Sequence, residues 1–374
     1  SSALMTNDDP HFDVHMDSSG ANLQCQDCHT FSAHKVIGKG SDIRPTDDTS
    51  RGSEVTCTNA SCHTGMDSGS GHASSGRNDA PDRHVARVAC QSCHIPNFAK
   101  VLDQTKHKPT EMHRDWRHHH DGTDATTCDE NNPCAGHPHT DKSANVVPAL
   151  KFWNRLSDNY LLGDDAEATY DVATAGYPTS RPLGDINTTA GGVSKLTPFK
   201  YKTADQPIEP VSGQLVALDT FEYLKGTGNV DTAVRSGLSN MGFDPNIPVE
   251  WVTTDTYQMI NHGVNPASTV ADCSRCHEDP LDVTRNSMLD NLGYALKGDK
   301  NAVCNQCHDG SKKLPRTVEK IHSHITKSAG NSTGIGCYFC HDVKRPERGL
   351  CDPCDSSCAS DYVDNVAYPH VCNN

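Results

Sequence analysis

No stretch of this 374-residue chain approaches the ~18 consecutive apolar residues that a membrane-crossing helix needs, so no membrane span is expected. Aromatic residues are scarce at 6%, and hydrophobic residues of all kinds reach only 34%, which is thin lining for a large apolar interior. Positive charge is also short. The formal net charge is −15, with no basic run to offset it, which argues against nucleic acid and favours cationic partners or mineral surfaces. Glycine (28) and proline (21) interrupt the chain throughout, so long helices and a large sheet are not expected.

Cysteine and histidine, by contrast, are abundant and ordered. Five copies of Cys-x-x-Cys-His and one stretched Cys-x4-Cys-His recur along the chain: Cys25, Cys28, His29; Cys57, Cys62, His63; Cys90, Cys93, His94; Cys273, Cys276, His277; Cys304, Cys307, His308; Cys337, Cys340, His341. Each reads as a covalent c-type haem attachment, in which two nearby thiols add to the haem vinyl groups and the next histidine becomes the proximal iron ligand. A zinc ribbon needs paired knuckles without an obligatory trailing histidine, and a dithiol oxidoreductase has no use for six copies. The stretched copy has a second reading, a disulfide between Cys57 and Cys62. The expectation is six covalent haems in a mostly irregular coil with short α-helices, little β and a haem-packed core.

Sixteen histidines remain after the six proximal ones. That surplus favours a second histidine on each iron, whereas the seven scattered methionines read as packing residues. The preferred distal ligands are His15, His34, His72, His84, His262 and His324, which lie on segments already tethered near a motif; His11, His322 and His113 are the alternates. The His118–His120 run reads as a solvated loop. No catalytic residue can be assigned.

Of the other six cysteines, Cys128 and Cys134 flank a turn-forming DENNP and are expected to pair. Cys351, Cys354, Cys358 and Cys372 allow three disulfide connectivities, or a four-cysteine metal or iron–sulfur site. The aspartates of DDP, PTDD and GDDAE read as solvated loops, with calcium held between carboxylates and haem propionates as the other reading. Covalent haem, disulfides and an opening serine that suggests a removed signal peptide place the chain outside the cytoplasm, at the cell surface or beyond, with the periplasm as alternative.

The motifs divide the chain into a three-haem segment (1–110), a haem-free, loop-rich insert with short helices (111–260), a second three-haem segment (261–345) and a disulfide-rich tail (346–374), as one continuous body. Within the insert, DTFEYLKGTGNVDTAVRSGLSNMG and TTDTYQMINHG read as short helices, the second delivering His262. YPTSRPLGDINTTAGG and TADQPIEPVSG read as loops packed over the haems.

The ordered run RVACQSCHIPNFAK, RDW, ALKFWN, SRPLGDI, KLTPFKYKTADQP, NHGVNPAS with CSRCH, and LGYALKGD before CNQCH resembles the multihaem cytochromes related to octahaem tetrathionate reductase, over roughly residues 80–345. The resemblance implies a haem-chain fold. It departs in carrying six motifs rather than eight and in offering no lysine assigned to the family's lysine-ligated catalytic haem. By haem count and composition the chain is also similar in type to hexahaem outer-surface cytochromes that polymerise into filaments. That likeness implies a distal ligand, His11 or His15 of the N-terminal arm, reaching a neighbouring subunit. The leading function is then a secreted electron carrier for extracellular respiration, serving redox proteins, minerals or electrodes. The alternatives are a reductase of a small sulfur or nitrogen compound and a monomeric periplasmic shuttle. Intact mass of the protein should exceed the polypeptide mass by six haems; markedly fewer would remove the basis of this reading.

Overall fold

The computed structural model describes residues 2–29, 87–134, 136–170, 176–184 and 194–272, short pieces between 31 and 85, and residues 275–276, 344–345 and 350–351. Its dominant element is a mixed eight-stranded sheet. The strands are β1 (Thr110–His119), β2 (Pro138–Ser143), β3 (Ala149–Trp153), β4 (Ser157–Asn159), β5 (Tyr177–Pro182), β6 (Lys195–Glu209), β7 (Gln214–Leu215) and β8 (Glu250–Met259). Along the main path the order is β2-β1-β6-β8-β5-β4, with β3 and β7 also paired to β6.

The expectation of little β is therefore overturned. Segments read as loops or helix are strands: TADQPIEPVSG forms the end of β6 and its turn into β7, YPTSRP forms β5, and TTDTYQM lies in β8. The physical reason lies in the residue types. β8 is rich in β-branched and aromatic residues (Trp251, Val252, Thr253, Thr254, Thr256, Tyr257), which suit a pleated, half-buried surface. β6 carries Pro198 and Pro207, which mimic loop punctuation, yet both are fully buried and contribute carbonyls: Pro198 accepts from Ile260 N–H (3.1 Å) and Pro207 from Val216 N–H (2.8 Å). β6 runs antiparallel to β8 from Ile208↔Glu250 to Phe199↔Met259. Its other edge is shared, with β3 antiparallel along Lys195–Phe199 and β1 parallel at Thr203–Asp205.

Of the two segments read as short helices, DTFEYLKGTGNVDTAVRSGLSNMG is helical, as α3 (Thr220–Lys225) and α4 (Val230–Asn240), following the single-turn motif helices α1 (Cys25–Cys28) and α2 (Cys90–His94). Asp219 caps α3 by accepting from Phe221 and Glu222 N–H, and Asn229 caps α4 by accepting from Thr232 N–H. α4 buries Val230, Ala233, Val234, Gly237 and Leu238, a spacing of three and four that keeps one face apolar. Gly237 is required by proximity, since a Cβ there would stand 2.3 Å from the Ala217 carbonyl oxygen.

That face packs on Ala125, Val216 and Tyr223, with Trp116 and Trp251 against the cluster. A second correction follows: the insert has an apolar core of its own, so porphyrin is not the whole interior. Leu238→Ala should cost about 2–5 kcal/mol of unfolding free energy. Chemical denaturation followed by far-ultraviolet dichroism measures it, and the haem Soret band should be unchanged before the transition.

Candidate functional site

α1 and α2 each place two cysteines three residues apart on one helical turn, so both sulfurs leave from one side. In α1 the Asp27 carboxylate accepts from Gln24 N–H (2.7 Å), and His29 N–H donates to the Cys25 carbonyl (2.8 Å), which fixes the turn out of which the histidine projects. In the stretched motif His63 N–H returns to the Cys57 carbonyl (3.1 Å). α2 is bolted to the sheet. The buried Ser92 hydroxyl donates to the Leu196 carbonyl (2.7 Å), where β6 begins, and Ala89 N–H donates to the same oxygen (2.9 Å).

Cys25, Cys28, Cys57, Cys62, Cys90, Cys93 and Cys276 carry no disulfide, whereas Cys128 and Cys134 are joined as expected, with Cα atoms 5.4 Å apart. Among the described residues, the first four motifs adjoin one another in chain order. Cys28 lies near enough to Cys62 for that charge to raise its pKa, second to burial. The Cys57 thiol is hydrogen-bonded to Cys90, whose pKa it lowers to about 6. Arg275 lies beside both Cys276 and Cys93 and loses proton affinity chiefly through burial.

Three proximal histidines each face one of the preferred distal residues. Ring centres are 6.0 Å apart for His29 and His262, 5.9 Å for His63 and His15, and 6.4 Å for His94 and His72. With metal–imidazole bonds of about 2 Å, two rings on opposite sides of one metal face each other with centres about 6 Å apart. The donor sets therefore fit haem iron. Burial, then the charges of His72, His63 and His15, lowers the pKa of His94; burial, then His29, lowers that of His262. Both effects favour the neutral imidazole that ligation requires.

His262 does not come from a helix, as expected, but from the chain just beyond β8. His84 is exposed and its carbonyl accepts from Arg87 and Val88 N–H. His113 sits in β1, its Nδ1 2.8 Å from the Thr203 hydroxyl, and His11 is exposed beside Asp9. His34, His277, His308, His322, His324 and His341, with Cys273, Cys304, Cys307, Cys337, Cys340 and the four tail cysteines Cys351 (in side-chain detail), Cys354, Cys358 and Cys372, lie outside the described residues.

The His118–His120 run is not a solvated loop throughout: His119 ends β1 only 1% exposed, stacked on Tyr223. One of its ring nitrogens lies within 4.8 Å of the Cys128 and Cys134 sulfurs, but those sulfurs are already bonded to each other. Among the described residues no acidic cluster has metal-ligand spacing, so the calcium reading gains no site there. The Asp164 and Asp165 carboxylates accept from the Leu161 and Glu167 N–H groups instead. Sequence reasoning missed the roles of Lys100 and Asp13. Each is a charged residue no more than 5% exposed, and neither belongs to a haem-attachment motif, although Lys100 closes the RVACQSCHIPNFAK run.

The family model "Cytochrome c bacterial" matches residues 111–280, which span the sheet, α3, α4 and the fourth motif. The crystal structure of octaheme cytochrome c from Shewanella oneidensis is similar, with a TM-score of 0.57 and 25% identity over 83% of this chain. This chain is a multihaem c-type cytochrome related to the octahaem cytochromes. It spans 65% of the length of the octahaem chain. No curated protein matches it. Among the described residues of the cytochrome no helix is long and apolar enough to cross a membrane.

Proposed function

We propose that the cytochrome is a secreted six-haem electron carrier working outside the cytoplasm. Its haems are attached through Cys25 and Cys28, Cys57 and Cys62, Cys90 and Cys93, Cys273 and Cys276, Cys304 and Cys307, and Cys337 and Cys340, with His29, His63, His94, His277, His308 and His341 as proximal ligands. The observation that carries the reading is the set of facing histidines, from which we assign His262 to the first iron, His15 to the second and His72 to the third. Bound there, haem supplies one-electron redox chemistry on an iron whose two positions are both filled by protein. The chain's own task is to hold those imidazoles neutral, opposed and close to the next motif. Adjacency of the first four motifs supports an uninterrupted route, and the −15 charge supports a cationic or mineral acceptor.

Assembly into a filament is the finer form of this proposal. His15 faces His63 of its own chain, so the ligand offered to a neighbouring subunit would be His11, whose side chain is 56% exposed. In the filament form, His11→Ala should abolish filaments in electron micrographs; filaments that persist would remove His11 from that role.

His262→Ala, His15→Ala and His72→Ala should each create one high-spin haem per chain that binds carbon monoxide when reduced. Optical titration counts it. If none of the three variants gains a carbon monoxide site relative to the parent, the ligand assignment is wrong.

A further inference from the structure

The assigned ligands His15 and His262 are 247 residues apart, serve different irons, and meet beside one buried cation. Lys100 is 5% exposed. Its Nζ donates to the carbonyls of His11 (2.8 Å), Phe12 (3.1 Å) and Gly263 (2.7 Å) and to the side-chain oxygen of Asn265. Only the ammonium form offers three protons to so many oxygens, and among the described residues these acceptors stand in for its lost water.

The buried opposing charge is Asp13, 3% exposed, which with Asp9 favours the charged form of Lys100. Its Oδ1 accepts from the N–H groups of His15 (3.0 Å) and Met16 (3.3 Å), and its Oδ2 accepts from Gly263 N–H (2.7 Å). Gly263, next to His262, thus gives its N–H to Asp13 and its carbonyl to Lys100. It does so at φ +87, a conformation that favours glycine. Val14 N–H adds a bond to the Val264 carbonyl (2.9 Å), and Asn265 N–H donates to the carbonyl of His94 (2.8 Å).

We infer that Lys100 and Asp13 form a positioning node that fixes the backbones carrying His15 and His262, and so sets the ligand geometry of two neighbouring haems together. The inference rests on the ligand assignment proposed above. Neither residue touches iron; both act through the peptide groups around a ligand, and Asp13 Oδ1 also lies 3.9 Å from His15 Nδ1. Two opposite buried charges suit this task because their hydrogen bonds to these peptide groups are strong and directional, and because removing one leaves the other less well compensated.

The test uses the full haem-loaded protein with Lys100→Met, Asp13→Asn and the double variant. The node predicts unchanged haem content and a change in the low-spin electron paramagnetic resonance signals of two haems, with the remainder unaltered. It also predicts up to two more carbon-monoxide-binding irons per chain than in the parent. Because the residues act as a unit, the double variant should resemble either single one rather than their sum. If Lys100→Met lowers haem content through misfolding, Asn265→Ala, which removes one acceptor of four, should produce the same two-haem change in milder form.

Unaltered signals in Lys100→Met and Asp13→Asn, or equal changes in every haem, would overturn the node. The underlying assignment fails separately: it is wrong if His15→Ala and His262→Ala create no new carbon monoxide site. Success of those two histidine variants with silent Lys100→Met and Asp13→Asn would leave the ligands standing and dismiss the node.

Discussion

Two imidazoles on one metal must face each other at a nearly fixed separation, about 6 Å between ring centres, and this demand governs what the rest of the polypeptide has to accomplish. A proximal histidine costs little to place, because it follows its cysteines directly and is carried by the same turn. Its opposite number must arrive from elsewhere with sub-ångström consistency. In the proposed assignment the partner of His29 is His262, 233 residues later, and that of His63 is His15, on the other side of the first motif. Tethering of the porphyrin by two thioethers does not solve this problem. A rigid frame does.

The sheet is that frame. β6 begins at Lys195, and its second residue, Leu196, accepts from both Ser92 and Ala89, so the third motif is fixed to one end of the strand. β8 runs antiparallel beside β6 and ends at Met259, opposite Phe199, only a few residues from that same end. The chain leaving β8 therefore emerges next to the third motif and carries His262 with it. Asn265 N–H on the His94 carbonyl and Ala271 N–H on the Cys93 carbonyl (2.8 Å each) continue the attachment until the fourth motif begins. Under the proposed assignment, an insert without a haem motif thus sets distances among haem ligands, because strand pairing fixes the relative height of two chain ends far better than coil can.

How much of this was legible in the sequence depended on the range of each interaction. The attachment motifs are local, since cysteines three apart and a trailing histidine belong to one turn, and they could be read directly. The helical segment of α3 and α4 was legible for the same reason, from its spaced apolar residues and an aspartate such as Asp219 as cap, while the Asn229 cap that opens the second helix was not read. Cys128 and Cys134, six residues apart, were equally local. The strands were not. Pro198 and Pro207 imitate loop punctuation, and their burial inside β6 depends on neighbours that lend donors from outside the strand. His15, His72 and His262 could be nominated from proximity to motifs, but their partners could not, and Lys100 gave no signal at all: its meaning lies in four oxygens contributed by residues 11, 12, 263 and 265.

The low apolar content also reads differently once the insert is seen as a body of its own. A share of 34% hydrophobic residues is an average over two regimes. Between Ala125 and Leu238 the chain buries Val216, Tyr223, Val230, Ala233, Val234 and Leu238 in one cluster, with two tryptophans against it, as a small cofactor-free protein would. Around the first three motifs the described buried residues are instead mostly polar and charged, Asn7, Asp13, Asp17, Ser92, Lys100 and His107, with Ile95 apolar among them. Groups of that kind stabilise little by leaving water and are retained where they fix direction, since each hydrogen bond specifies an angle that a methyl contact does not. The division of labour follows: the apolar insert supplies the free energy that keeps the frame folded, and the polar haem-bearing segment spends its buried groups on aiming ligands.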